Sequence, residues 1–264
     1  MNIVVCVKQV PDTAQVKLDP VKHTLIREGV DNILNPFDGQ ALETALILKD
    51  KTGAKVTVVS MGPPQAKDVL KDAISRGADE AYLLCDRAVA GSDTLATSTA
   101  LAGLIKSLGQ VDLILCGKQA IDGDTAQVGP EIAERLAIPQ VTDSLKVSYE
   151  EGRFLVERET EERAQTLAVP APVLITVNRA EKDLRFASIK GKMKARRMEI
   201  PMKTAAELKL DSQEVGLNGS PTKVLKVFSP EVPQIESQII NEENVDLAVD
   251  QLLEKLIAAG IVKR

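Results

Sequence analysis

Short apolar runs alternate with helical patterns along the first part of the chain. The runs fall at 3–7, 56–61, 80–85 and 113–117, and each is mostly apolar, with no polar residue at every second position. Strands buried on both faces have this pattern, which is typical of a parallel sheet covered by helices on either side. The sequence therefore predicts βαβ units in a mostly parallel, three-layer, Rossmann-like α/β fold.

Capping residues mark where the intervening helices begin and end. We predict four helices, which run from Asn35-Pro36 to Gly53, from Pro64 to Gly77, from Asp93 or Thr94 to near Gly109, and from Asp124 or Thr125 to about Ala137.

The pattern changes after residue 141. Two alternating runs joined by Glu151-Gly152 predict a β-hairpin at 144–158 on the edge of the sheet. The apolar run at 169–177 predicts a further strand. The stretch 179–200 is charged and short of apolar periodicity, which predicts an exposed loop with a brief strand at its end.

These patterns divide the chain into three predicted parts. Residues 1–183 form the α/β domain, 184–200 an exposed loop, and 201–264 an arm rich in Pro, Ser and Gly that ends in a helix. The apolar stripe of that helix can bury against its own chain or against a partner subunit, and the low hydrophobicity of the arm favours the partner. The stripe consists of Val245, Ala248, Val249, Leu252, Leu253, Leu256 and Ile257.

Composition excludes several functions. A net charge of -5 and a content of two Tyr, four Phe and no Trp argue against nucleic acid, which needs a basic face and aromatic platforms. Cys6, Cys85 and Cys116 lie in separate apolar segments without C-x-x-C spacing, so we expect buried, reduced thiols and no zinc site. His23 is the only histidine and lies in a polar turn, which excludes a His-based triad or multi-His metal site.

The N-terminal segment predicts a strand and not a signal peptide, because its apolar stretch is short and no small-residue cleavage site follows. No apolar run approaches membrane-spanning length. We therefore expect a cytoplasmic protein without membrane insertion.

Neither the Gly-x-Gly-x-x-Gly fingerprint nor the P-loop motif occurs, but three polar segments follow predicted strand ends. In an open α/β sheet this edge holds the ligand. Segment 35–38 is the first. Segment 91–98 places hydroxyls in the first turn of a helix, where Thr94 and Thr97 share a face and could hold a diphosphate; an ordinary helix cap is the alternative.

The third segment, 117–129, begins with Gly117, which permits close backbone approach, and continues through a turn into another helix start. A plain βα loop is its alternative. The predicted nucleotide-binding residues are Cys6, Asn35, Pro36, Phe37, Asp38, Met61, Asp93, Thr94, Thr97, Gly117, Lys118, Gln119, Asp122, Gly123, Asp124, Thr125, Ala126, Gln127 and Val128.

One basic run stands out in this acidic chain. It comprises Lys190, Lys192, Lys194, Arg196 and Arg197. It is either a solvated charged face or a surface for an acidic protein partner or neighbouring subunit.

Six sequence blocks resemble the beta subunits of electron transfer flavoproteins over essentially the whole chain. That resemblance implies an adenine nucleotide alpha hydrolase-like fold and a heterodimer with an alpha subunit, which carries FAD near the interface. It also implies a second nucleotide on this chain and a loop within 184–200 that engages dehydrogenases, with Ile189, Met193 and Lys194 as partner-binding residues. The blocks are VCVKQVPD (5–12), Asn35-Pro36-Phe37, VVSMGPP (58–64), GADEAYLL (77–84), the stretch 113–136 and the stretch 177–200.

The segments GSDTLATS (91–98) and DGDTAQVGPE (122–131) look like the anaerobic, electron-bifurcating group of that family. That likeness implies FAD as the second nucleotide, NADH as electron donor, ferredoxin or flavodoxin as low-potential acceptor, and an acyl-CoA-type or related dehydrogenase as partner. The cofactor would carry the redox chemistry, so no catalytic acid, base or metal is expected. The alternatives are a structural AMP, as in the respiratory type, and a stand-alone adenine-nucleotide sensor.

Overall fold

Residues 1–12, 31–225 and 237–262 are described in the computed structural model, together with the backbone at 17–18 and 25–26. The chain forms two compact units, Met1–Lys226 and Val227–Arg264. His23 lies outside the described residues, so its predicted surface position stays a prediction.

The first unit alternates strands and helices along most of its length. The strands are β1 (Asn2–Cys6), β2 (Gln9–Pro11), β3 (Lys17–Leu18), β4 (Leu25–Ile26), β5 (Asn32–Leu34), β6 (Lys55–Met61), β7 (Glu80–Leu84), β8 (Leu113–Gly117), β9 (Gln140–Glu150), β10 (Arg153–Glu159), β11 (Ala164–Pro170), β12 (Val173–Val177) and β13 (Met202–Lys203). The α-helices are α1 (Pro36–Thr52), α2 (Lys67–Arg76), α3 (Thr94–Ser107), α4 (Val128–Leu136) and α5 (Ile189–Arg197), and the second unit contains α6 (Val245–Ala258).

Within the described residues the main sheet has nine strands in the order β11-β10-β9-β12-β8-β1-β6-β7-β13. The four apolar runs form its parallel centre, as predicted: β1 pairs with β6 and β8, and β6 pairs with β7. Both faces are buried, since Val5 packs with Leu46 of α1 on one side and Val4 packs with Leu104 of α3 on the other. This confirms the three-layer α/β fold.

Helix α1 begins and ends where its capping residues predict. Gly53 ends it with a left-handed φ of 70°, which a residue with a side chain adopts less readily. Helix α2 follows a short 3-10 turn at Pro64–Ala66 and ends at Gly77, and α3 begins directly after Asp93. These bounds confirm three of the predicted helices.

Helix α4 begins at Val128, and the predicted start at Asp124 or Thr125 was wrong. Asp124 and Ala126 have positive φ angles of 55° and 54°, which a right-handed helix cannot include. The segment before α4 is therefore an exposed loop.

The predicted hairpin about Glu151-Gly152 is confirmed as the pair β9 and β10. A third antiparallel strand, β11, continues the sheet outside β10, and the sequence analysis missed it. The strand predicted at 169–177 is instead divided, because 169–170 belongs to β11 and β12 starts at Val173. Pro170 and Pro172 separate the two, since proline has no backbone N–H for a sheet ladder.

The stretch 179–200 is not wholly a loop, because it contains helix α5. Ser188 caps this helix by accepting a hydrogen bond from the Gly191 amide at 2.9 Å. Ala195 is its one buried residue, so little apolar periodicity marks the helix in the sequence. The brief strand predicted at the end of this stretch lies just beyond it, as β13, which pairs in parallel with β7.

Residues 201–225 also depart from the predicted arm. They belong to the first unit, and the side chains of Ala205 and Val215 are buried in the same hydrophobic cluster as helix α3. Few apolar positions suffice for this packing, which explains why the composition predicted an arm.

The second unit contains the predicted terminal helix. Asn244 caps α6 by accepting from the Asp246 amide at 3.0 Å, and no residue of the helix is buried. Docking of its apolar stripe on a partner stays a prediction. Among the helices of the described residues, none is long and apolar enough to cross a membrane.

Candidate functional site

A cavity of ≈ 350 Å³ lies at the carboxyl ends of β1, β6 and β8, where the sequence places the ligand crevice. Its volume falls within the range of roughly 300–1,000 Å³ that is usual for small-molecule sites. Apolar and polar side chains both line it. They are Cys6, Val7, Lys8, Asp38, Met61, Ser92, Asp93, Thr94, Thr97, Leu101, Cys116, Gly117, Lys118, Gln119, Ala120, Gly123, Asp124, Thr125, Ala126, Gln127, Val128 and Gly129.

Asn35 stands at the cap position of α1, but its side chain does not cap the helix. Its Nδ2 donates to the Gln119 carbonyl at 2.8 Å, and its Oδ1 accepts from the Ile121 amide at 3.3 Å. The side chain is fully buried. Asn35 therefore holds the loop after β8 against the start of α1 and shapes the cavity without lining it.

Asp38 joins two strand ends at the cavity floor. Its carboxylate accepts from the Lys8 amide at 2.7 Å and from the Gly117 amide at 3.2 Å. Burial raises the pKa of Asp38 to about 7, and the hydrogen bonds from Asn35, Lys8 and Gly117 offset only part of that effect. Asp38 is thus a buried acid that titrates near neutral pH.

Two glycines let backbone segments approach closely at this edge. A Cβ at Gly117 would lie 2.6 Å from the Phe37 carbonyl carbon, and one at Gly129 would lie 2.7 Å from Thr176 Cγ2. Both distances are shorter than van der Waals contact. The start of α1 and the start of α4 can therefore sit against the sheet only if these positions lack side chains.

The loop before α4 presents unpaired backbone donors. Gln127 makes no side-chain cap, and within the described part of the chain the amides of 125–129 have no hydrogen-bond acceptor. Asp124 and Ala126 in this loop have positive φ angles of 55° and 54°. Such an arrangement at a helix N-terminus binds anions, phosphate above all.

The start of α3 faces the same cavity but has fewer free donors. The Asp93 carboxylate accepts from the Ala96 amide at 3.1 Å and from the amide and hydroxyl of Thr222 at 3.0 and 2.8 Å. Burial acts to raise the pKa of Asp93, yet these hydrogen bonds together hold it below its usual value. The cap interaction that the sequence offered as the alternative is therefore present.

Thr94 and Thr97 both line the cavity. The Thr94 hydroxyl is 3.2 Å from Glu131 Oε1 and 3.4 Å from Gln127 Oε1. The Thr97 hydroxyl has no hydrogen-bond partner within the described residues. Thr97 is thus the freer donor at this helix start.

Two lysines at the cavity edge are paired with acidic side chains. Lys8 Nζ lies 2.7 Å from Asp122 Oδ1, and Lys118 Nζ lies 2.6 Å from Asp143 Oδ1. Gln119 and Asp124 share a side-chain hydrogen bond. These pairs are partly exposed and can be exchanged for contacts with a ligand at modest cost.

Most of the predicted nucleotide-binding residues line this cavity, although lining alone does not assign them a ligand. Asn35, Pro36, Phe37 and Asp122 lie beside it instead. Seven further residues line it that the sequence pattern did not single out. Five of them directly adjoin predicted positions, whereas Lys8 lies two residues from Cys6 and Leu101 lies on α3. The seven are Val7, Lys8, Ser92, Leu101, Cys116, Ala120 and Gly129.

The three thiols are free; Cys6 and Cys116 are buried, as predicted, whereas Cys85 is only partly buried. Cys6 and Cys116 lie side by side at the cavity floor, and a hydrogen bond from Cys6 together with burial raises the pKa of Cys116. No group of three or more His, Cys, Asp or Glu residues in the described ranges is arranged to hold a metal ion.

Comparison with known proteins decides the family. The model of the electron transfer flavoprotein domain matches residues 22–208. A protein of Megasphaera elsdenii named electron transfer flavoprotein subunit beta is 53% identical over 272 aligned residues, which cover 99% of this chain and 100% of that protein. The chain belongs to the electron transfer flavoprotein beta-subunit family. A beta subunit of this family works with an alpha subunit and with electron-transfer partners.

Two other relatives of this beta subunit are similar over the same length. A Thermoanaerobacterium thermosaccharolyticum protein with the same subunit name is 49% identical, covering 99% of this chain and 100% of that protein. The Acetobacterium woodii protein named caffeyl-CoA reductase-Etf complex subunit CarD is 46% identical, with the same coverage.

The predicted partner surface of this beta subunit lies on α5 and the turn before it. Ile189 is 83% exposed and Met193 52% exposed, and Phe186, 95% exposed, extends the apolar patch. The Lys194 side chain is directed toward its own domain, because its Nζ donates to the carbonyls of Ala78 and Asp79 at 3.0 and 3.2 Å. Lys194 therefore anchors α5 to its own domain, while Ile189 and Met193 face outward.

Proposed function

We propose that this beta subunit holds FAD in the cavity and, with the alpha subunit, takes part in flavin-based electron bifurcation. When bound, the flavin would accept electrons from NADH and pass them to a low-potential acceptor such as ferredoxin or flavodoxin and to the FAD of the alpha subunit. The protein residues would bind the nucleotide, orient it and exclude water.

The observation that best supports this proposal is that the N-termini of two helices, α3 and α4, face one cavity. The unpaired amides of 125–129 suit one phosphate, and the start of α3 adds Thr94 and Thr97 for a second. A mononucleotide needs only the first of these. A diphosphate such as that of FAD would use both.

The remaining walls fit the apolar parts of a dinucleotide. Val7, Met61 and Leu101 supply apolar surface, and Gly117 and Gly129 let the starts of α1 and α4 lie close to the sheet beside the cavity. Asp38 and Asn35 would act indirectly, by fixing the strand ends on which the ligand rests.

One observation favours the second candidate, a structural AMP in a subunit without redox chemistry of its own. The carboxylates of Asp93 and Glu131 already accept hydrogen bonds at the start of α3, and both would repel a second phosphate. The unpaired amides before α4 alone would hold the single phosphate of AMP.

We assign the exposed apolar patch of α5 to an acyl-CoA-type or related dehydrogenase, and the α6 stripe to the alpha subunit. Support for the first comes from the Acetobacterium relative, whose name places it in a caffeyl-CoA reductase-Etf complex. We also propose that the protein is located in the cytoplasm.

Acid extraction of the purified complex with the alpha subunit tests the choice of nucleotide. We expect two FAD per heterodimer. One FAD and one AMP would instead support the structural role. A stable monomer that retains only an adenine nucleotide would support the stand-alone sensor.

A further inference from the structure

A segment near the end of the first unit closes over the loop that leads into α3. This segment, residues 215–222, is called the clasp here, and it packs on residues 88–93. Gly216 has a φ of 63°, and a Cβ there would collide with the Ala88 carbonyl. This close fit means that the clasp packs on the loop in one specific position.

Hydrogen bonds donated by the clasp and by the loop hold the clasp in that position. The Gly216 amide donates to Ser92 Oγ at 3.0 Å, and the Asp93 amide donates to Ser220 Oγ at 2.8 Å. Ser220 Oγ in turn donates to the Gly216 carbonyl at 2.6 Å. The Thr222 amide and hydroxyl donate to Asp93 Oδ2 at 3.0 and 2.8 Å.

Asp93 is where the clasp meets the cavity. One carboxylate oxygen caps α3 through the Ala96 amide, while the other is held by Thr222. The neighbouring Ser92, Thr94 and Thr97 line the cavity wall. The orientation of this wall therefore depends on residues that lie more than a hundred positions further along the chain.

We infer that the clasp is a functional part of the nucleotide site: Ser220 and Thr222 are positioning residues that hold Asp93, and through it the Thr94 and Thr97 hydroxyls, in the geometry that receives the phosphate nearest α3. This rests on the proposed nucleotide-binding function. It predicts selectivity, because a ligand that reaches the start of α3 needs the clasp, whereas one held only by the amides before α4 does not.

The test compares full-length variants by titration with FAD and with AMP. Thr222→Val keeps the shape and the backbone hydrogen bond but removes the hydroxyl, Thr222→Ser keeps the hydroxyl, and Ser220→Ala combined with Thr222→Val removes both side-chain contacts. We expect the double variant to weaken FAD about fivefold or more while AMP changes less than about twofold. Thr222→Ser should bind FAD like the wild type.

Thr204→Val is the matched control, since the Thr204 hydroxyl bonds to Glu207 outside the cavity lining. Equal FAD affinity in the double variant and the wild type would overturn the inference, as would a parallel loss of FAD and AMP. Should the double variant not fold, the contrast between Thr222→Val and Thr222→Ser decides by the same titration. A wild type that binds neither nucleotide would refute the proposed function itself.

Discussion

Asp38 is the residue whose chemistry is most altered by the fold. Its carboxyl is buried, and its pKa rises from 3.8 to about 7 because burial disfavours the charge more than the two backbone amides favour it. The folded chain thus binds this proton more tightly than the unfolded chain. Its contribution to stability is largest at low pH, falls as pH rises from about 4 to about 7, and is constant above.

Asp38→Asn removes this dependence, since asparagine does not ionise. The free energy of unfolding of the variant minus that of the wild type should increase by about 1–4 kcal/mol from pH 4.5 to pH 8. The upper value corresponds to a shift of about three pKa units. Urea unfolding of both proteins at the two pH values measures it. A difference that does not change with pH would show that Asp38 is ionised throughout.

Substitution of Thr94 and Thr97 tests whether the cavity is built for FAD or for AMP. Hydrogen bonds from neutral donors to a phosphate contribute roughly 1.5–3 kcal/mol each. Thr94→Ala with Thr97→Ala should therefore weaken FAD at least about tenfold and leave AMP nearly unchanged, as titration with each nucleotide would show.

Thr99→Ala is the control on the same helix, because the Thr99 hydroxyl bonds to the Leu95 carbonyl and does not line the cavity. If both nucleotides bind the double alanine variant as they bind the wild type, the two hydroxyls serve only the helix start.

Residue types at strand ends could be predicted from the sequence, but most side-chain partners could not. Asn35 and Asp38 were predicted at the cavity because they follow a strand and open a helix. The sequence suggested that Asn35 caps α1, whereas it bonds to the loop after β8. The contact of Asp93 with Thr222 joins distant segments, and no local pattern indicates it.

At the scale of elements, buried strands were predictable because burial on both faces imposes apolar runs. Helix α5 was not, since it packs on α2 through Gly191 and buries only Ala195. A helix that covers so little apolar surface carries mostly lysine and arginine, and its sequence resembles a charged loop. Strand β11 was missed for a related reason, because one of its faces is exposed.

A charge placed in the exposed apolar patch of α5 should selectively reduce electron transfer to the dehydrogenase partner. Ile189→Asp places a charge where an apolar side chain is expected to meet a dehydrogenase, at a position 83% exposed in the free chain. Electron delivery to the dehydrogenase should fall at least about tenfold, because burial of such a side chain contributes about 1.5–3 kcal/mol. Nucleotide content should be unchanged.

Steady-state dye reduction coupled through the dehydrogenase measures this effect. Val224→Asp is the control, since Val224 is 81% exposed on the same unit but lies outside both α5 and residues 215–222. Unchanged delivery in Ile189→Asp would remove α5 from the partner surface.

At the scale of the whole molecule, the second unit carries an apolar stripe on α6, and no residue of this helix is buried. Val249 and Leu253 lie one turn apart and are 54% and 43% exposed. An amphipathic helix with such a stripe is stabilised by burying it, and the proposed site is the alpha subunit. The first unit has its own core and should not depend on this contact.

Val249→Asp with Leu253→Asp should therefore weaken the complex with the alpha subunit about a hundredfold or more, because two buried aliphatic side chains contribute about 3–6 kcal/mol. Analytical ultracentrifugation of the mixed subunits measures the association. The control is Asp250→Asn with Glu254→Gln, which alters exposed polar positions of the same helix. Binding of AMP or FAD by the first unit should persist in both variants. A complex as tight as that of the wild type would mean that the stripe packs within its own chain, and the alpha subunit would then have to bind elsewhere on the first unit.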